Sequence, residues 1–466
     1  MRRARMRWSA VVVALAAGIL LTALDEAGAW SYREAAGPYK GKTIKVLDET
    51  TPIQDAMAAI KGDFEKETGI NVEWELVNHF LVISKGEADL LSGQGAYDLI
   101  MLHSPQVGRL LKAGVIRFVD DFMASPKLMN PDFDAKDLIQ PVWDRLAKVG
   151  GKYIGFVNWN YNSVYWARGD LLGHPEEKAA FKKKYGYDLG PAKTWEQVRD
   201  IAEFFTRKKG QKLAGKALEA DFYGIVLEGI KGGTTGWDVW NNHIKNWGGD
   251  LFDKEGRPTI NRKENVEAVK FWAGLWKFSP PGQAEYSLID VPTVMGNGIA
   301  AQTIAWSDFI FGIDRPEKSK FAGKFVYAGI PYKKGNEKVR SAEAEPSLLI
   351  VNKASKNPEA AYLYLQWLAE KKTQERWFAT GAGAIPIRES GWALPFATGQ
   401  WKPLYAAMRE TLKYGNPKPR VPELYQINDI FVTALHDVAL GKKSAEDALA
   451  GAQRDVEKLC TRCFLK

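Results

Sequence analysis

Residues 44–75 read IKVLDETTPIQDAMAAIKGDFEKETGINVEWE, and this stretch decides the fold. The apolar run at 44–47 is a strand. Thr51-Pro52 follows as N-cap and first helical residue: a threonine hydroxyl accepts from an orphan backbone N–H, and proline needs no donor there. Ile53, Met57, Ile60 and Phe64 share one helical face, and Gly69 stops the helix. Ile70, Val72, Trp74 and Leu76 then alternate with polar residues, the period of a half-buried strand. Further out, a helix over roughly 81–91 leads to Asp98-Leu-Ile-Met101, a run apolar enough for a buried parallel strand. The β-α-β-α-β order predicts a doubly wound sheet, with ligand-facing loops at the strand carboxyl ends. Those loops are 48–50 and 103–106.

A second region of the same α/β character follows. A strand is expected at 152–156, a helix capped by Thr194 through 206, a strand at 222–227, and a helix over 265–278. The glycine-rich piece 229–236 reads as a surface loop. Ser347–Val351 reads as a strand, and Asn357-Pro358 opens a helix whose Ala361, Tyr364, Leu365 and Leu368 share a face. With no repeat, low-complexity tract or obvious linker, two lobes would require the chain to cross between them more than once.

The amino terminus has its own pattern. Residues 1–8 carry four arginines and no acid, 10–24 are almost unbroken apolar, and Ala27-Gly28-Ala29 offers small residues for cleavage. This is the pattern of a secretory signal peptide over 1–29, too short in its apolar part for the roughly twenty residues of a membrane span. No cysteine follows the apolar run, so no lipid anchor is expected. The remaining 437 or so residues exceed what one core usually organises, and two domains are expected. Positive and negative charges are interleaved despite a formal net charge of +8, and no basic block with stacked aromatics points to nucleic acid. Most of the 17 tryptophans are expected in the core, with a minority on loops suited to sugar rings. Cys460 and Cys463, the only cysteines, are expected to form one local disulfide in an oxidising compartment. The five histidines (79, 103, 174, 243, 436) are dispersed without ligand spacing, so no metal site and no cofactor are expected.

Taken in order, several blocks resemble those of bacterial extracellular solute-binding proteins of the maltose-binding type, which serve ABC importers. They begin with FEKETGI before the second strand (64–70) and continue through 97–116, 193–208, 246–276 and 294–306. They close with 348–377, GAIPIRES (383–390) and 439–458. Each block alone is mostly helix and turn chemistry; their order and spacing carry the resemblance over nearly the whole chain. It implies an α/β, two-lobe periplasmic-binding-protein fold of type II-like architecture, each lobe a doubly wound mixed sheet. Solute is enclosed in the cleft, and closure docks a monomeric receptor on an inner-membrane ABC permease. With crossings near 156–160, 290–294 and 342–347, lobe 1 would be 38–156 plus 292–342, and lobe 2 157–291 plus 343–466. Together with the signal peptide, this places the protein in a Gram-negative periplasm.

A sugar's hydroxyls want bidentate polar partners, and its faintly apolar face wants an aromatic ring. Several loops expected to face the cleft have that composition. Asp48 and Glu49 follow the first strand, with helix capping as the competing role. His103, Ser104 and Gln106 follow the third strand. Asn158, Trp159 and Tyr161 lie at the first crossing. Thr235, Trp237 and Asp238 follow the glycine-rich loop, where the alternative is a helix start with Trp237 and Trp240 packed inward. Trp306 and Asp308 fall on the family element whose tryptophan commonly stacks on sugar, and Glu345 precedes the returning strand. On the carboxyl-terminal block, the position that is aromatic in maltose binders falls on Asn428, with Tyr425 one helical turn earlier. An extended maltodextrin platform is therefore not expected, and a smaller sugar or polyol is. Other readings stay open: a polyamine or ferric-ion receptor (Tyr161, Tyr223 or Tyr425 for the latter), a sensory receptor, and a secreted glycoside hydrolase, which would need two carboxylates flanking one bond.

Overall fold

The computed structural model describes residues 30–379, 384–416 and 418–465; the expected signal peptide lies outside them. β1 (Thr43–Glu49) leads through helices α1 (Pro52–Ala59) and α2 (Lys61–Thr68) to β2 (Asn71–Val77). Thr51 caps α1, its hydroxyl accepting from the Ile53 N–H at 3.3 Å. The single helix expected here is two, broken at Ile60. Gly69 ends α2 in the left-handed region at φ 72°, where a side chain would be strained. Next come α3 (His79–Ser92), β3 (Leu99–Leu102) and α4 (Ser104–Lys112). All four residues of β3 are buried, as the apolar run required.

Farther along lie β4 (Phe156–Trp159), β5 (Ser163–Arg168), β6 (Gln302–Trp306), β7 (Phe325–Ala328) and β8 (Ser347–Val351). The larger sheet has the order β2-β1-β3-β8-β4. β1 runs parallel to β2 and β3, and β8 runs antiparallel to β3 and β4, so the sheet is mixed. A smaller sheet, β6-β5-β7, is antiparallel throughout. One core cluster packs around the larger sheet, with Phe64, Trp143, Phe156 and Tyr364 at its centre; a second gathers Trp195, Trp240, Trp272 and Phe431. Six tryptophans, among them Trp166 and Trp377, are wholly buried or nearly so, which accounts for much of the tryptophan content as packing.

Two strand expectations are met only in part. The piece at 222–227 makes only isolated bridges, Arg207 with Phe222 and Tyr223 with Ala300. Backbone hydrogen bonds tie Tyr223 and Val226 to 299–302 ahead of and at the start of β6, and Gly224 lies so close to the helix Trp195–Phe205 that a Cβ would sit 1.7 Å from the Ala202 carbonyl oxygen. The strand expected at 152–156 is a two-residue hairpin arm, Lys152–Tyr153, followed by β4. Between them Gly155 presses on β8, where a Cβ would lie 2.5 Å from the Leu349 oxygen.

Sheet membership also departs from the expected division of the chain. β8 belongs to the larger sheet beside β3 and β4, although residues from 343 onward were expected in the other lobe. β6 and β7 pair with β5, although 292–342 was expected beside β1. The chain leaves the larger sheet between β4 and β5 and returns between Ala342–Glu343 and β8. A later passage is marked by Gly415–Asn416, which pairs in parallel with Ala342–Glu343.

Candidate functional site

A cavity of about 270 Å³ opens where the carboxyl ends of β1 and β3 face the β4–β5 crossing, the segment at 232–237 and the end of β6. The rule that placed ligand loops at strand carboxyl ends holds here.

Ten of the expected residues line the wall: Glu49, His103, Trp159, Tyr161, Trp237, Trp306, Asp308, Glu345, Tyr425 and Asn428. Trp159, Tyr161 and Trp306 form an aromatic run. Ring centroids are 4.7 Å apart for the first pair and 4.9 Å for the second, which meets edge to face at 77°. Trp237 and Tyr425 add a second pair, also edge to face. Such rings offer flat apolar area at little entropic cost.

Six expected residues support this wall without lining it. Asp48 is wholly buried, accepting from Asn158 Nδ2 at 3.0 Å and from the Glu49 N–H at 2.7 Å. Burial pushes its carboxyl well up, so the Asp48–Asn158 pair is a structural link between β1 and β4. Gln106 serves the α4 terminus, its Oε1 accepting from the His103 N–H at 2.9 Å. The Ser104 N–H donates to Glu345 Oε1. Thr235 Oγ1 donates to the Ile230 carbonyl at 2.9 Å inside the preceding turn. Asp238 sits in the helix Thr235–Asp238, and burial pushes its carboxyl well up. The two readings of the tryptophans divide: Trp240 packs inward, its Nε1 donating to Asp250 at 2.7 Å, while Trp237 reaches the cavity.

Charge is distributed in two groups. Glu49 receives His79 Nδ1 and His103 Nε2, each 3.1 Å from its Oε2. Burial would raise the Glu49 carboxyl, but the two histidines outweigh it and hold it at about 2. Burial acts to lower both imidazoles; contact with Glu49 reverses this for His79, which lies above its usual value, but not for His103, which lies below. In the second group Lys418 Nζ bridges Glu343 and Glu345, all three side chains at most 3% exposed. Burial opposes the Lys418 charge, yet the two carboxylates hold it protonated. Two residues of the wall each carry a buried oxygen with no partner within the protein, Asp308 Oδ1 and Asn428 Oδ1. Burial raises the Asp308 carboxyl to about 7.

Sequence reasoning missed His79, Phe80, Leu288, Phe309, Lys418 and Asp429, all on the wall. His79 and Phe80 had a usable signal, since they follow β2 as His103 follows β3. Lys418, in a proline-rich loop, had none. The dispersed histidines were misleading in one respect, because His79 and His103 converge with ring centroids 4.6 Å apart.

The profile of bacterial extracellular solute-binding proteins matches residues 48–375. The chain belongs to this family. Like the family, it is a solute-binding protein of the extracytoplasmic space, and among the described residues no helix is long and apolar enough to cross a membrane. A probable amino-acid ABC transporter periplasmic-binding protein of Sinorhizobium fredii is 24% identical, with 91% of this chain and 90% of the relative aligned. The erythritol/L-threitol-binding protein of Mycolicibacterium smegmatis is 22% identical over 79% of this chain and 74% of its own. Among solved structures, an ABC transporter solute-binding protein of Agrobacterium radiobacter in complex with ribitol superposes with a TM-score of 0.75. It is 24% identical, over 90% of this chain and 99% of that one. The match in fold is to two-lobe binding proteins, with the cavity of this family member between its two sheets.

Proposed function

We propose that this family member is a periplasmic receptor, exported through residues 1–29, that captures a small carbohydrate or polyol and delivers it to an ABC permease. The carrying observation is the composition of the wall: the Trp159–Tyr161–Trp306 run shares it with the polar residues Glu49, His103, Asp308 and Asn428. Rings for a faintly apolar face and several polar groups for hydroxyls are the composition that a sugar or polyol needs. The volume, about 270 Å³, lies just under the roughly 300–1,000 Å³ of pockets for drug-sized ligands, which favours a short polyol or monosaccharide. The relatives named for erythritol, threitol and ribitol support the same class. Sheet membership favours one lobe built around β1–β4 and β8 and a second around β5–β7, with the helix Lys402–Leu412 packed on β5 and β7 of the second. A solute touching both favours the closed form because it alone makes all the contacts. On this reading the protein binds and releases its solute unchanged.

Of the other readings, a polyamine receptor is disfavoured by Lys418, whose ammonium already lies 5.6 Å from the Trp237 ring and 5.9 Å from that of Trp306. A tyrosine-based ferric site is disfavoured because Tyr161 and Tyr425 reach the cavity wall and Tyr223 does not.

Isothermal titration of the mature chain with tetritols, pentitols, hexitols, hexoses, maltose, amino acids, polyamines and ferric ion tests the proposal. Saturable binding of a polyol or monosaccharide is expected. Tight binding confined to an amino acid, a polyamine or iron would overturn the solute class.

A further inference from the structure

Three potential ligands reach one corner of the cavity from three separate elements. Glu49 is the last residue of β1, His79 the first of α3, and His103 the residue before α4. One donor atom from each lies within 4.8 Å of the other two. Glu49 Oε2 is 3.1 Å from both His79 Nδ1 and His103 Nε2. Ligands bound tetrahedrally at about 2.0–2.1 Å from zinc stand about 3.4 Å apart, so two edges of this triangle are already near that spacing. The third edge shortens by rotation of the two tilted rings, whose planes meet at 53°.

We propose that Glu49, His79 and His103 hold a divalent transition-metal ion, zinc in the first instance, whose open coordination position faces the solute chamber. Two imidazoles and one carboxylate form a borderline set that suits zinc, nickel or copper, whereas calcium and magnesium need more oxygen ligands. Each ligand is anchored at the end of an element, so the set is assembled by the fold. Asn78 accepts from the Leu81 N–H at 3.0 Å ahead of His79, and Gln106 holds the His103 N–H. All three side chains line the cavity, which leaves one side of the ion for an oxygen of the solute. What fills that position rests on the polyol reading above; the metal site itself does not.

The test uses zinc ion alone. Mature protein stripped with EDTA and dialysed is titrated calorimetrically with Zn²⁺ at neutral pH, and with Co²⁺ to read tetrahedral absorption bands. One ion per chain is expected. His79→Ala and His103→Ala should each weaken binding at least tenfold, while the remote His174→Ala should not. His79 is partly exposed at the rim, so its alanine variant should fold even if the buried His103→Ala does not; thermal melts check both. Absence of saturable zinc binding, or binding unchanged in His79→Ala, would overturn the site. A parallel polyol titration with and without EDTA separates the two ideas. Zinc binding without polyol binding sinks only the proposed solute, and metal-independent polyol binding with no zinc binding sinks only the metal site.

Discussion

The backbone N–H of Ser104 donates to Glu345 Oε1 at 2.7 Å across 241 residues of sequence, while the other oxygen of Glu345 is bound by Lys418. One carboxylate thus joins the amino terminus of α4 to the segment that carries the chain back into the larger sheet. Lys418 extends the link to Glu343, whose second oxygen accepts from Asn241 of the other core cluster's helix. The cleft is tied at its base by a buried charge network.

Breaking that network should cost stability before affinity. Lys418→Met leaves Glu343 and Glu345 buried without their cation, and a loss of about 3–5 kcal/mol is expected in denaturant unfolding. Adding Glu343→Gln and Glu345→Gln to that variant should recover much of the loss; no recovery would mean Lys418 matters through packing alone.

Trp306 is only 5% exposed and meets Tyr161 edge to face, so it belongs to the core as well as to the wall. Trp306→Ala should therefore lower stability by about 3–5 kcal/mol along with affinity. Trp306→Phe keeps most of the packing and is the cleaner probe. Calorimetry should show solute binding several-fold weaker with a melting temperature close to that of the parent.

Asp308 should give the apoprotein a pH-dependent stability. Its carboxyl titrates at about 7 when folded and near 4 when unfolded. Between those values the folded chain keeps a proton that the unfolded chain has lost, so stability falls as pH rises from 4 to 7 and levels off above. Asp308→Asn removes this contribution. It should be stabilised relative to the parent at pH 8 by up to about 4 kcal/mol, an upper bound because the residue as a whole is only half-buried, and equal to it near pH 4. Denaturant midpoints at the two pH values check the difference.

Gly236 makes room for Asn428, a residue of the wall: a Cβ there would fall 2.0 Å from Asn428 Oδ1. Gly236→Ala should turn that side chain and weaken solute binding about tenfold, the effect of losing one hydrogen bond with displacement of its neighbour. Asn428→Ala in the same background should add little, since both changes act on one group; additive losses would place the effect of Gly236 elsewhere.

Much of the fold was legible because local chemistry and tertiary structure agree. Thr51-Pro52 starts a helix, Gly69 ends one, Thr194 and Gln197 form a capping box, and the run at Leu99–Leu102 is a buried strand. Each depends on neighbours in sequence, whose spacing is visible. The strand expected at 222–227 was not so protected. Apolar composition marked the segment as buried, but how far it paired depended on residues 299–302, which come from a distant part of the chain. The cleft residues Trp159 and Tyr161 were legible through the crossing expected there and Trp306 through the family element on which it falls; Lys418 was not, because nothing local distinguishes a buried lysine from a solvated one.

Cys460 and Cys463 form the disulfide their short separation allowed, and the sequence determined that bond because both partners lie in one turn. It likewise determined the α/β class, the first βαβαβ unit and the loops beside it, all products of periodicity, capping and burial over a few residues. Only the tertiary structure decided which sheet each later strand joined, and it put β8 beside β3 and β6 beside β5. Only there do His79 and His103 meet on one carboxylate, and Glu343 and Glu345 on one lysine. Such contacts are made by residues far apart in the chain, and no local pattern encodes a distance that the folded sheets alone create.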